Sequence, residues 1–375
     1  MSKKTSALAS GYIIDGQKMD ATPEQILSAL GAVSSDPLPE GEFDDIIDEP
    51  KDPSPIYVKP APMALERYAE ATASEVRRSF PLPYCGPLSR LAVAKAVLDV
   101  LFRSGSFKLG DLSVNALWEW DEGRIGSSAA FYDSVSNVAE TVEALGIRMG
   151  VYSYRSSDSI RLKITAEVSP KSKASDGLFD DGASAVPAPD MGEGRRCPEK
   201  ALGTPGNWLI YIPFDTGRYY LGGSLFSQAL NFQGGKSPGF ADPDYFIDSY
   251  EVVRELVEDG IARSGVAVGE GGLMTALGKI AGGKALEADI SAIMRAGGEE
   301  DSLKILFGEI PGALIEIKDF DFDYVDVELL LQDVAYYPIG RFSGADGPLK
   351  INTAGSPGIQ GILQALLDGA SEGED

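Results

Sequence analysis

The chain has 375 residues, 43% hydrophobic and 24% charged, the balance of a soluble globular protein long enough for two domains. Its 57 acidic residues against 33 basic ones give a net charge of −24, a surface that repels free nucleic acid and anionic membrane and favours basic partners or bound cations. There is no histidine, so imidazole acid–base chemistry and imidazole metal ligation are excluded, and the two cysteines, Cys85 and Cys197, read as free thiols of a reducing compartment.

In chain order, Met1–Ser10 is polar and lacks the apolar core of a signal peptide, and no run reaches the length of a membrane span. This predicts a cytoplasmic protein, or one carried in a particle assembled in the cytoplasm. Residues 1–55 read as an acidic, disordered tail, because 34–55 is rich in Asp, Glu and Pro and poor in aliphatics. Within it, Thr22-Pro23-Glu24-Gln25 before Ile26, Leu27 and Leu30 has the form of a capped short helix.

From Ile56 the composition turns globular, and residues 56–168 are expected to form an N-terminal domain. Helical spacing runs over 89–102 and 127–145, and β-like alternation over 111–120 and 159–168. Trp118 and Trp120, two apart, share one strand face. Residues 169–205, rich in Ser, Gly, Pro and Asp, read as a flexible connection. A C-terminal domain is expected over 206–345, with strands at 208–213, 313–317 and 334–339. Its helices are expected at 224–231, 244–259, 273–280 and 324–332, with a short element at 305–307. Residues 346–375 form a C-terminal extension. Strands alternating with helices in both halves predict α/β or α+β domains. The segment Ser264 to Leu273 is glycine-rich and ends at a helix start, a place where backbone N–H groups can face an anion.

Several strings, in order, resemble one family. Leu112-Ser113-Val114-Asn115-Ala116-Leu117-Trp118 is similar to its S-A-N-W-M-W strand, and Tyr132-Asp133-Ser134-Val135 to its Y-D-A-V helix. Leu221-Gly222-Gly223-Ser224, with Gln228 four residues on, is similar to L-G-G-S-x-x-x-Q. Asp242-Pro243-Asp244-Tyr245-Phe246 is similar to D-P-x-Y-F, and Leu306 to Gly312 to L-F-x-E-x-P-G. The chain resembles one half of the large formylglycinamidine ribonucleotide (FGAM) synthases, within the aminoimidazole-ribonucleotide-synthetase-related superfamily, over roughly Pro83 to Phe342. The resemblance implies a two-domain α+β unit of that superfamily. It also implies a second half, so self-pairing as a homodimer through Leu112–Trp120, or pairing with a related synthetase-like chain, is expected.

The departures from the family are chemical. Where the family has G-G-K-D-S, this chain has Ser156-Ser157-Asp158-Ser159, so a serine replaces the phosphate-binding lysine. In its G-H-D-x-S-x-G-G-L motif, Val266 stands for the histidine, Ala267 for the metal-binding aspartate and Gly269 for the serine. Gly265, Gly271, Gly272 and Leu273 remain. The surviving candidates are Asp158, Ser159, Gly222, Gly223, Ser224, Gly271 and Gly272 for a nucleotide, and Glu309 for magnesium; no catalytic residue is assigned. No cofactor is expected, or ATP/ADP with magnesium if a site survives. Three readings stay open. The one these departures favour is a non-catalytic structural or interaction component, viral or particle-associated among the options. The second is a synthase subunit completed by a partner chain. The third is a nucleotide-binding sensor.

Overall fold

The computed structural model describes residues 6–34, 44–47, 68, 69, 72, 79–104, 108–168, 197–230, 235–238 and 240–352. The chain divides into two units that interleave in sequence. Unit 1 takes residues 1–53, 77–97 and 108–180, and unit 2 takes 54–76, 98–107 and 181–375. The helix α2 (Cys85–Ser104) therefore begins in unit 1 and ends in unit 2.

Unit 1 is organised around β5 (Leu112–Trp120), whose alternate residues Leu112, Val114, Ala116, Trp118 and Trp120 are buried. β5 pairs parallel with β6 (Arg148–Ser156) and antiparallel with β7 (Arg161–Val168), and β3 (Val33–Ser34) adds outside β6. The buried face packs on α3 (Ser127–Ala144). Trp118 Nε1 donates to Ser134 Oγ at 3.0 Å, and Trp120 Nε1 donates to the Ser127 carbonyl at 2.8 Å. Both indoles meet Phe131 edge-on. Asn115 sits where the β5–β6 register shifts. Its Oδ1 accepts the Val151 N–H at 2.8 Å and its Nδ2 donates to Glu167, which satisfies the extra residue of the bulge. β5 is thus an interior strand, not the edge that the self-pairing expectation required; both of its backbone ladders are already used.

The N-terminal expectation is also corrected. Residues 6–34, assigned to a disordered tail, contain β1 (Gly11–Ile14), β2 (Gln17–Lys18) and α1 (Pro23–Ala29), with β4 (Asp44–Ile47) pairing parallel to β1. The capping box is made: Gln25 N donates to Thr22 Oγ1 at 3.2 Å, and Thr22 N donates to Gln25 Oε1 at 2.8 Å. The physical reason is a partner that composition does not show. α1 packs on α3 with Leu27 fully buried, and Tyr12 meets the Tyr132 ring at 5.3 Å. Residues 35–43 and 48–55 lie outside the described residues, as do 169–196 of the connection and 353–375 of the extension.

Unit 2 holds a six-stranded sheet: β8 (Trp208–Pro213), β9 (Ser264–Val268), β10 (Lys284–Asp289), β11 (Gly312–Ile317), β12 (Tyr337–Asp346) and β13 (Leu349–Asn352), in the order β13-β10-β12-β8-β11-β9. One face buries Leu209, Tyr211, Val266 and Leu314 against α6 (Gly272–Ala281), α7 (Ser291–Gly297) and α8 (Ser302–Phe307). α4 (Leu225–Ala229) joins this core through Phe226. Trp208 points the other way and meets Phe322 at the start of α9 (Phe322–Leu331), which packs on α5 (Pro243–Glu258). Three expectations shift. Ser264 to Val268 is a strand rather than part of a turn. The last long strand runs over 337–346 instead of 334–339, because it buries only Ile339 and Phe342 and so shows no alternation. The extension begins with β13.

Candidate functional site

Two glycine turns and one buried carboxylate form a polar locus of unit 2. After β9, the chain turns at Gly269–Gly271 and enters α6; Gly272 has φ +68°, and a Cβ there would lie 2.6 Å from the Leu306 carbonyl oxygen. Only glycine meets both conditions. The second turn, Leu221–Ser224, leads into α4. A Cβ on Gly222 would lie 2.2 Å from the Gly235 carbonyl oxygen, so two backbones pass where no side chain fits. Gly223 follows in the left-handed region, and Ser224 caps α4 by accepting the Ser227 N–H at 3.1 Å.

Glu309 joins the two turns. It is buried, and its Oε1 accepts the Leu225 N–H at 2.9 Å and the Gly271 N–H at 3.0 Å. A carboxylate at a helix N-terminus is favoured by the macrodipole and satisfies amides that the helix itself leaves unpaired. The anion that a glycine turn before a helix can attract is thus supplied by the chain itself. A phosphate at these two amides would compete with Glu309 and meet its charge, so the pair as built does not fit a phosphate.

Tyr68 closes the same locus. Its hydroxyl donates to the Gly271 carbonyl at 2.8 Å and shares a 3.0 Å hydrogen bond with Thr275. Its ring meets Phe226 and Phe307 edge-on, and those two rings stack at 4.0 Å. Burial, and after it the negative charge of Glu309, pushes the Tyr68 phenol well above its ordinary value, although the Thr275 hydrogen bond pulls it back. It stays protonated and acts as a donor.

Of the residues singled out in the sequence, Gly222, Gly223, Ser224, Gly271, Gly272 and Glu309 come together in unit 2. Asp158 and Ser159 lie in unit 1, in the connection from β6 to β7 at the end of β5. There Ser157 N donates to the Trp120 carbonyl at 2.8 Å, Ser159 N donates to Ser157 Oγ at 3.3 Å, and Asp158 is exposed. Val266 is buried in β9 and pairs with Leu314, so the position that resembles the family's histidine is a core position in this chain. Among the described residues, no group of three or more Cys, Asp or Glu side chains is placed to hold a metal ion. Asp319, first of the acidic run Asp319, Asp321, Asp323 and Asp326, accepts from Trp208 Nε1 at 2.9 Å and pairs with Arg341.

Sequence reasoning missed two further buried carboxylates. Glu316 accepts from Leu202 N, Gly203 N, Asn207 Nδ2 and Ser264 Oγ at 2.8–3.0 Å. Asp215 accepts from the Gly217, Ala241 and Asp242 amides. A signal for Glu316 existed: it is a lone charge inside the apolar strand Gly312–Ile317, and such a charge is buried only when satisfied.

No family model matches the chain. Over 235 residues it is 27% identical to phosphoribosylformylglycinamidine synthase of Homo sapiens, covering 62% of this chain and 16% of the relative. Over 272 residues it is 26% identical to the Drosophila melanogaster synthase, covering 68% and 19%. Among solved structures it is similar to T. maritima PurL complexed with FGAR, with a TM-score of 0.51 at 12% identity, over 74% of this chain and 42% of that one. The fold is an α+β unit of the aminoimidazole-ribonucleotide-synthetase-like kind. The chain is related to a part of phosphoribosylformylglycinamidine synthase, and spans less than a fifth of the length of either curated relative.

Proposed function

We propose that the chain is a subunit of an FGAM-synthase-type assembly that takes part in the ATP-dependent amidation of formylglycinamide ribonucleotide together with a partner chain. The observation that carries this reading is the sequence relation to two animal synthases over more than 60% of the chain. The chain's own residues have a bounded role. Glu309, Tyr68 and the two glycine turns hold the sheet-to-helix connections of unit 2 in one geometry. Exposed Asp158, beside Ser159, is the place in unit 1 where a magnesium-bound phosphate would be met. Charge stabilisation of a transferring phosphoryl group is the main catalytic term, and loss of single groups costs about 2–4 kcal/mol. With Ser157, Val266 and Ala267 where the family places lysine, histidine and aspartate, those groups come from outside this chain in our reading.

A second reading, a non-catalytic component built on the old fold, is favoured by the buried Val266 and by the Glu309 carboxylate already seated on the Gly271 amide. One experiment separates the two. The chain is mixed with a synthase-type partner chain from the same cell, formylglycinamide ribonucleotide, ammonia, ATP and magnesium, and phosphate release is followed. We expect no release from the chain alone, and release with the partner that rises with added chain. Partner turnover indifferent to the chain, together with no calorimetric heat from ATP and magnesium, sinks the subunit reading and leaves the non-catalytic one; heat without turnover identifies a sensor.

A further inference from the structure

α9 is apolar on two opposite sides. Its inner side, Phe322, Val325 and Leu329, meets Trp208 and the core; Val325 and Leu329 are fully buried. Its outer side continues an apolar stripe from the preceding turn: Phe320, Tyr324, Val327 and Leu331, spaced by four, three and four residues and so aligned on one helix face. Phe320 is 92% exposed and Leu331 73%. Of the nine exposed large apolar side chains among the described residues, five fall between positions 320 and 331. A helix apolar all round belongs in an interior, and an apolar patch rimmed by polar groups marks an interaction site.

The rim identifies the partner's chemistry. Asp323 flanks the stripe on one side and Glu328 on the other. Glu255 and Asp259, at the end of α5, lie close by: partial burial, and after it the charges of Glu328, Asp259 and Glu255, raise the Tyr324 phenol above its ordinary value. We propose that this face is the docking site for an amphipathic helix of another protein, with apolar anchors along the stripe and Lys or Arg on both flanks. Charge disfavours a second copy and the chain's own C-terminal segment. A second copy would set Asp323 and Glu328 against acidic rims of their own kind. The chain's own residues 353–375 carry four acids and no Lys or Arg. A basic amphipathic helix satisfies both stripe and rim.

The test uses the full chain and a synthetic Leu/Lys peptide of about five helical turns with one apolar face. Its controls are a Leu/Glu version and a scrambled version of the same composition. Peptide anisotropy is read at moderate salt, with hydrogen exchange of residues 322–331. The expected result is binding of the patterned basic peptide with protection of 322–331, weakened about tenfold or more by V327D/L331D, whose side chains are exposed and leave the fold intact. D323N/E328Q should weaken it less and flatten its salt dependence. Equal binding of the scrambled peptide, or binding that survives V327D/L331D, would mean attraction to an acidic surface at large and overturns the proposal. So does a dimer abolished by V327D/L331D, which would assign the face to a second copy. L363D/L366D exposing 322–331 to exchange would assign it to the chain's own C-terminal segment, with the same consequence.

Discussion

Glu309 and Glu316 are buried acids that serve as internal acceptors, and their removal should be felt as stranded donors. Glu309→Ala leaves the Leu225 and Gly271 amides unpaired, and Glu316→Ala strands two amides, Asn207 and Ser264. At about 1–3 kcal/mol for each buried donor left unmade, Glu309→Ala should cost about 2–6 kcal/mol in urea denaturation and Glu316→Ala more. Glu309→Gln keeps an acceptor oxygen and should cost clearly less; equal losses would mean that the charge, not the hydrogen bonds, matters. Asp215 gives a pH signature. Burial raises its carboxyl above the ordinary 3.8, against the pull of the Ala241, Gly217 and Asp242 amides. The folded state then holds the proton more tightly than the unfolded one, so this contribution is fully present below about pH 3.8 and fades as pH rises through the raised value. The stability gap between wild type and Asp215→Asn should accordingly narrow from acid towards neutral pH; a gap that widens would reverse the assignment. The sequence pointed to Glu309 through the string Leu306 to Gly312, but not to what it holds. Its donors lie 84 and 38 positions away, beyond the reach of any local pattern.

At the scale of elements, legibility followed periodicity. α2, α3, α5 and α6 were readable because their apolar residues recur at helical spacing, and β5 because it alternates. β9 was hidden by its own packing. Gly265 sits inside it because a Cβ there would lie 2.2 Å from the ring of Phe102, so a glycine required for close approach looked like the start of a turn. Gly265→Ala should force that buried ring aside and cost about 1–3 kcal/mol, readable as a lower Tm. Gly222→Ala, whose clash is with backbone rather than a ring, should cost at least as much; a harmless Gly222→Ala would mean that the backbone at 235–236 can yield to a methyl group. α1 illustrates the opposite failure. The capping string announced the helix, but averaging composition over 55 residues hid that it packs on α3 through Leu27, and Thr22→Ala should cost about 1 kcal/mol through its lost cap.

At the scale of the molecule, the earlier dimer expectation changes form. Ala116 faces the unit 1 core, while Leu117 lies with Ser113, Asn115 and Glu119 on the other side of β5. A homodimer would have to use that second side, so Leu117→Asp should turn a dimer into a monomer in light scattering, whereas a monomeric wild type removes the expectation. By composition, limited proteolysis is expected within the connection at 169–196, because the amides of Cys197, Ala201, Leu202 and Gly203 are held by Phe102, Ile280 and Glu316. A cut there should not release a free C-terminal fragment, because unit 2 also contains 54–76 and 98–107. The nicked chain should run as two bands in denaturant and one species without it. The shared helix α2 has a consequence for biogenesis. On the ribosome its first turns can settle into unit 1 early, but Leu98, Leu101 and Phe102, all fully buried in the finished protein, belong to a unit whose sheet starts at Trp208 and ends at Asn352. Until the last strands emerge, the nascent chain carries these apolar side chains uncovered, a late-closing window in which chaperone engagement, translation speed and premature stops decide between a folded chain and an aggregate.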